Sequence, residues 1–241
     1  MKNNRFSRAA LLLGIASLIV CLAAVIGLFE ATDIDLQVQD RFYDFDEQTW
    51  LVSKNARIPK LIFYEAPKIA YISLALVILF LIGKSAISRQ RIDRRLGVVL
   101  LSMVSVPATV GWLKDATDVY FPSQVERYGG KEPYAKLFED HPEVRRRTKK
   151  PRKPGHGFPA GHASGGFALM SLCVLGRTRR GRCLGVASGM ALGWILGGYQ
   201  MVNGNHYLSH TIVTNLLAGV LILTWICILL AGERDSATSA N

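Results

Sequence analysis

Four stretches of this chain carry no charged side chain: Ala9 to Phe29, Leu96 to Leu113, Cys183 to Tyr199 and Thr211 to Gly232. Each is close to the roughly 20 residues that carry an α-helix across a bilayer core. Two weaker stretches join them. Ile69 to Gly83 extends back through Leu61-Ile62-Phe63-Tyr64, interrupted by Glu65 and Lys68, and Ala163 to Gly176 is the shortest. The expectation is an all-α protein: an integral membrane bundle of six transmembrane helices at about 9–29, 61–83, 96–113, 160–176, 183–200 and 211–232. Half of the 241 residues are apolar, which fits one membrane domain over 1–241 and excludes an ordinary soluble protein.

The first run follows a basic segment with Lys2, Arg5 and Arg8. It is longer than the usual signal-peptide core and no small-x-small cleavage site follows it, so an uncleaved helix is expected. The four cysteines lie within or at the edge of apolar runs, with no spacing that reads as a disulfide framework or a zinc cage.

Charge predicts orientation. The N-terminus, the loop with Lys84, Arg89, Arg91, Arg94 and Arg95, and the loop with Arg177, Arg179, Arg180 and Arg182 belong on the cytoplasmic side. With six spans both termini are then cytoplasmic. Residues 30–60, carrying Phe42, Tyr43 and Trp50, form an outer loop whose aromatic rings are expected at the membrane interface. Residues 233–241 read as a disordered polar tail. The long loop 114–160 between helices 3 and 4 also faces outward, yet it holds a basic excess that includes Arg145, Arg146, Arg147, Lys149, Lys150, Arg152 and Lys153. Clustered Lys and Arg clamp phosphate, and at a membrane surface they meet anionic headgroups. Nucleic acid fits poorly, because the cluster is anchored between membrane helices and lacks interleaved aromatics.

All five histidines lie between the apolar runs. His162 sits in Gly155-His156-Gly157-Phe158-Pro159-Ala160-Gly161-His162-Ala163-Ser164, and the second cluster is Gly204-Asn205-His206-Tyr207-Leu208-Ser209-His210. Imidazole is suited to proton transfer and nucleophilic attack near neutral pH. Two histidine turns at the ends of membrane helices point to a site at the membrane surface. His141 and His156 read as solvated loop residues. A zinc site on His206 and His210 has suitable spacing, but no Glu follows the first histidine and no cysteine is near, so no metal is expected.

The chain resembles the type-2 phosphatidic acid phosphatase superfamily of membrane phosphatases. That family carries a Lys followed by Arg-Pro, then Pro-Ser-Gly-His, then Ser-Arg followed by His and, four residues on, Asp. This chain offers Lys114 with Arg127, then Pro159-Ala160-Gly161-His162, then Gln200 through His206 to His210. Residues 122–130, Pro-Ser-Gln-Val-Glu-Arg-Tyr-Gly-Gly, look like a bacterial branch of the family, so a bacterial inner membrane with a periplasmic site is expected. Ala160 stands where the family has serine, Gln200 where it has arginine and His210 where it has aspartate. The first motif is stretched, with thirteen residues from Lys114 to Arg127 and no proline after the arginine.

The resemblance implies a phosphatase that works without metal or other cofactor on a phosphorylated membrane lipid. His206 is the implied nucleophile and His162 the acid that protonates the leaving oxygen. His210, one helical turn beyond His206, fixes its tautomer. Lys114 and Arg127 are expected to neutralise the phosphate oxygens, with the backbone amides of Gly161, His162 and Ala163 adding a helix end for the anion. Gln200 is kept as a substrate-binding position. Glu65 and Lys68 either pair with each other or reach the site. The basic residues 145–153 favour a multiply phosphorylated headgroup, of the lipid A or polyprenyl diphosphate kind. Two other readings stay open: a phosphotransferase with the same chemistry, and a catalytically weak membrane protein that binds phosphorylated lipid.

Overall fold

The structure, a computed structural model, describes residues 7–139 and 155–231. Residues 140–154, which include His141 and the basic run 145–153, lie outside the described residues, as do the tails 1–6 and 232–241.

The described chain is built of helices and one two-residue hairpin. Helix α1 is Arg8–Ala31 and a short α2 is Ile34–Gln39. Strands β1 (Tyr43–Asp44) and β2 (Thr49–Trp50) pair antiparallel. Helices α3 (Arg57–Ile87), α4 (Arg94–Ala116) and α5 (Gly161–Leu175) follow. Helices α6 (Arg179–Val202) and α7 (Leu208–Leu230) complete the described residues. Four helices, α1, α3, α4 and α7, are long and apolar enough to cross a membrane. The protein is therefore a multi-pass membrane protein. Only a small share of α1 and α3 is buried against other elements. Their exposed Leu, Ile and Phe side chains are stable when bilayer hydrocarbon covers them.

Local chemistry sets the helix ends. Asp93 caps α4 by accepting from the Arg95 amide at 2.9 Å, and Thr178 caps α6 by accepting from Gly181 at 3.0 Å. Both caps occupy first-turn amides that have no partner within the helix. In α3 the turn Leu61–Glu65 widens to π geometry just ahead of Pro67. Proline has no N–H to donate and its ring crowds the carbonyl four residues earlier, and a wide turn relieves that conflict. Helix α5 is α-helical over Gly161–Ala168 and narrows to a 3₁₀ helix over Leu169–Leu175.

Helix α6 packs closely on α5 because glycine recurs every fourth residue along one face. A Cβ at Gly185, Gly189 or Gly193 would lie 2.5 Å or less from Cys173, Met170 or Phe167 respectively. Small residues at this spacing let two backbones approach. They also dilute the apolar character of α6, which is not among the four long apolar helices. The main core forms where α4, α5 and α7 meet, around Val98, Val99, Val106, Phe167, Ala218 and Ile222.

Aromatic residues of the outer loop pack against the protein itself. Tyr43 is buried, with its ring 4.9 Å from Trp50 and 5.4 Å from Tyr128. Trp50 also lies over Gly204, whose φ of 74° is left-handed and whose absent side chain makes room for the indole. The hairpin is thus a cover packed on the turn between α6 and α7.

Candidate active site

The turn between α6 and α7 is folded largely by Gln200. Its carbonyl accepts from the amides of Asn205 at 2.8 Å and His206 at 3.2 Å. Its side-chain oxygen accepts from Asn205 Nδ2 at 2.6 Å. The family's arginine position therefore acts here as a brace for the turn. Gln200 is itself buried, and it shapes the histidine loop from below.

His206 is completely buried, which is more than a turn residue leads one to expect. Its Nδ1 lies 3.4 Å from His210 Nδ1. Its Nε2 is buried and has no hydrogen-bond partner among the described residues. Around it stand Phe121, with ring centroids 5.6 Å apart, and His162, at 6.1 Å. Burial pushes the His206 pKa well below the ordinary imidazole value. The positive charge of Lys114 adds to the shift, followed by His210 and His162, while the Gly157 carbonyl opposes it. Desolvation disfavours the charged ring, so His206 is neutral near pH 7. A hydrogen bond between the two Nδ1 atoms needs one donor and one acceptor. If His206 donates, its Nε2 carries the free lone pair.

His210 is enclosed by aromatic rings, Phe158 at 5.2 Å and Tyr207 at 5.2 Å. Its carbonyl accepts from Ala160 at 3.2 Å, and Thr214 Oγ1 accepts from the same amide at 2.9 Å. These bonds tie the start of α5 to the first turn of α7, and so hold His162 near His206. Ala160 supplies no side-chain cap to α5. Gly161 opens that helix, with its missing Cβ position 3.0 Å from Lys114 Cε. Ala163 is fully buried in the core.

Lys114 comes from the last turn of α4. Its Nζ donates to the His156 carbonyl at 2.9 Å and lies 5.3 Å from the Phe121 ring centroid. Lys114, Gly161 and His162 line a cavity of about 370 Å³ with Phe63, Tyr64, Lys68 and Tyr71. His162 is the exposed imidazole of this cavity, with Tyr64 4.9 Å away.

Arg127 does not join this group. Its guanidinium forks onto Asp40, at 2.8 Å from Nε and 2.6 Å from Nη2. Tyr128 donates to the same carboxylate at 2.9 Å, and these bonds hold the Asp40 carboxyl below its ordinary pKa. The residue between Lys114 and His206 is instead Phe121. Glu65 does not reach the histidines either: it is half-exposed and pairs with Lys60 at 3.9 Å. Lys68 lines the cavity, so of the two alternatives open for Glu65 and Lys68, reaching the site holds for Lys68 and not for Glu65. Among the described residues no group of three His, Cys, Asp or Glu is placed to hold a metal ion. The residues missed from sequence are Tyr64 on the cavity wall, Phe121 beside Lys114 and His206, and Asp35, which lines a small cavity with His210. Nothing in their local spacing marks them.

The arrangement defines a class: a membrane protein with a buried neutral imidazole, a second imidazole near it, and an apolar cavity lined by that second imidazole and a lysine. The sequence matches the family model of the PAP2 superfamily over residues 95–234, more than half of the chain, and the protein belongs to that superfamily. Membership implies phosphatase activity on phosphorylated substrates. No curated protein and no solved structure matches the chain.

Proposed function

We propose that the protein removes phosphate from a phosphorylated membrane lipid, with His206 as nucleophile. The observation that carries this reading is the unpartnered, buried Nε2 of His206, whose ring lies 6.1 Å from that of His162, which with Lys114 lines a largely apolar cavity. In the first step His206 Nε2 attacks phosphorus while the ester or anhydride oxygen leaves. His162 gives that oxygen its proton. The phosphoryl group is then on Nε2, and the Nδ1 proton faces His210. In the second step water attacks the phosphoryl group and gives its proton to His162, which restores the acid and frees His206. Lys114 neutralises the nonbridging oxygens in both steps. Arg127 is left out of this scheme because Asp40 holds it.

The cavity walls Phe63, Tyr64, Tyr71 and Leu196 favour a substrate whose leaving group is hydrocarbon-bearing. The basic run 145–153 favours a diphosphorylated headgroup, of the lipid A or polyprenyl diphosphate kind. The proposal includes a bundle of six spans, with α5 and α6 completing the four long apolar helices. It also includes a bacterial inner membrane, cytoplasmic termini and a periplasmic site.

The test is the purified protein in detergent, assayed for free phosphate. The panel holds short-chain phosphatidate, farnesyl diphosphate and lipid A, each with and without chelator and an acceptor lipid. Phosphate release without an acceptor and in the presence of chelator is the expected result. Release only with an acceptor identifies a transferase, and binding without release identifies a lipid-binding protein.

A further inference from the structure

Helix α2 is only six residues long, yet it grips both helix ends that flank the His206 turn. Asp35 and Gln39 are four residues apart, so they share one face of the helix, and both are buried. Gln39 Nε2 donates at 2.8 Å to the carbonyl of Met201, in the last turn of α6. Asp35 takes the other side of the turn. Its Oδ1 accepts from the Ser209 amide at 2.9 Å and its Oδ2 accepts from the Ser209 hydroxyl. The Leu208 amide also faces this carboxylate and favours its charged form.

These amides are free donors of the first turn of α7, and Tyr207 at the cap position gives them no side-chain partner. A carboxylate from far back in the sequence therefore caps the helix, and it sets where α7 begins. His210 is the third residue of that helix. Asp35 is the one buried carboxylate among the described residues. With Tyr207, Ser209 and His210 it lines a small cavity of about 40 Å³. The nearby Lys136 ammonium pairs with Asp33 at 3.1 Å.

In the family's pattern a carboxylate stands four residues after the nucleophile, where this chain has His210. A neutral ring at that place fixes a tautomer but stabilises an imidazolium less than a carboxylate does. We infer that Asp35 is a positioning residue for His206: through Ser209 it anchors the turn that carries His210, and in the small cavity that His210 also lines it supplies the negative charge that position 210 lacks. The inference rests on His206 being the nucleophile. Burial raises the Asp35 pKa to about 6, so the carboxyl is largely ionised near pH 7 at a cost to the fold. A group kept charged at such a cost is a candidate for function.

The experiment uses the full chain in detergent with the most rapidly hydrolysed member of the phosphatidate, farnesyl diphosphate and lipid A panel. Asp35→Asn keeps the size of the side chain and removes the charge. It lowers kcat by about ten- to a hundredfold, with KM within about threefold, the pattern of a lost transition-state interaction. In a His210→Asp background the same change costs less than about threefold, because the carboxylate is then supplied at position 210 and the two sites act on one group. Should Asp35→Asn fail to fold, Ser209→Ala removes one of its bonds with little change in packing, and it lowers kcat severalfold at constant KM.

Full activity in folded Asp35→Asn overturns the inference, and for an unfolded one full activity in Ser209→Ala does the same. An equal loss of kcat in both backgrounds also overturns it, since that reports general damage to the fold. His206→Ala is run beside them. An active His206→Ala, or no turnover by the unchanged protein, overturns the functional reading and the inference together. An inactive His206→Ala beside a fully active Asp35→Asn removes the inference alone.

Discussion

Asp35→Asn carries a second consequence, in stability as a function of pH. Burial raises the carboxyl from 3.8 to about 6, against the lowering effect of its bonds to Ser209 and of the nearby Leu208 amide. Below pH 4 both the folded and the unfolded chain hold the proton, and the group is neutral in each. Between pH 4 and 6 the unfolded chain releases it while the folded chain keeps it, so stability falls as pH rises. Above pH 6 both are ionised and the full cost is present. The difference between 3.8 and about 6 corresponds to about 3 kcal/mol. Other carboxylates run the opposite way. Asp40, held low by Arg127, contributes stability that is lost on acidification, so the raw pH profile mixes both signs.

The informative quantity is therefore the difference between the variant and the unchanged protein. Loss of the Ser209 bonds adds an offset that does not depend on pH. On top of it, the melting difference should move in favour of asparagine by roughly 6–12 °C between pH 4 and 7, at about 2–4 °C per kcal/mol for a chain of this size. Helical circular dichroism followed through thermal unfolding in detergent measures it. A difference that stays constant over that range would show that the Asp35 carboxyl is equally solvated in both states, and would refute the reasoning.

His206→Asn, chosen to fill part of a completely buried site, and His162→Ala should each lower kcat by about a hundredfold or more, with helix content unchanged in circular dichroism. Arg127→Ala should lower the melting temperature by a few degrees and leave KM within about twofold, because its fork onto Asp40 braces the outer loop. Lys114→Ala, measured in the same assay, should lower kcat/KM by about tenfold or more. At Gly189 an added Cβ would sit 2.2 Å from the Met170 backbone nitrogen. Gly189→Ala should therefore cost about 3 kcal/mol or more, seen as loss of monodisperse protein on size exclusion.

The helices were legible because uninterrupted apolar runs of bilayer length have few other uses. Their ends were less so. Helix α6 starts ahead of its expected 183–200 because Thr178 caps Gly181 and carries the basic residues 179–182 into the helix. The histidines were legible as residue types in turns, but their burial was not, since it depends on Phe121, Phe158 and Tyr207 arriving from three places in the sequence.

Arg127 shows the limit of matching by residue type. It is the first arginine after Lys114, yet a carboxylate in the outer loop captures it, and an aromatic ring occupies the place beside Lys114. Asp35 was invisible for a related reason. Its partner Ser209 is 174 residues away, and no local pattern predicts a helix capped from that distance.

In the proposed reaction His206 takes the phosphoryl group. The direct measurement is a single turnover on a phosphorus-labelled lipid at pH 7 with excess chelator, quenched in base because a phosphoramidate is lost in acid, followed by peptide mass spectrometry. Labelled phosphate is expected on the peptide that carries His206, none on that peptide in His206→Asn, and the same amount with or without chelator. Turnover at the full rate with no phosphohistidine formed, or labelling that disappears with chelator and returns with zinc, would contradict it.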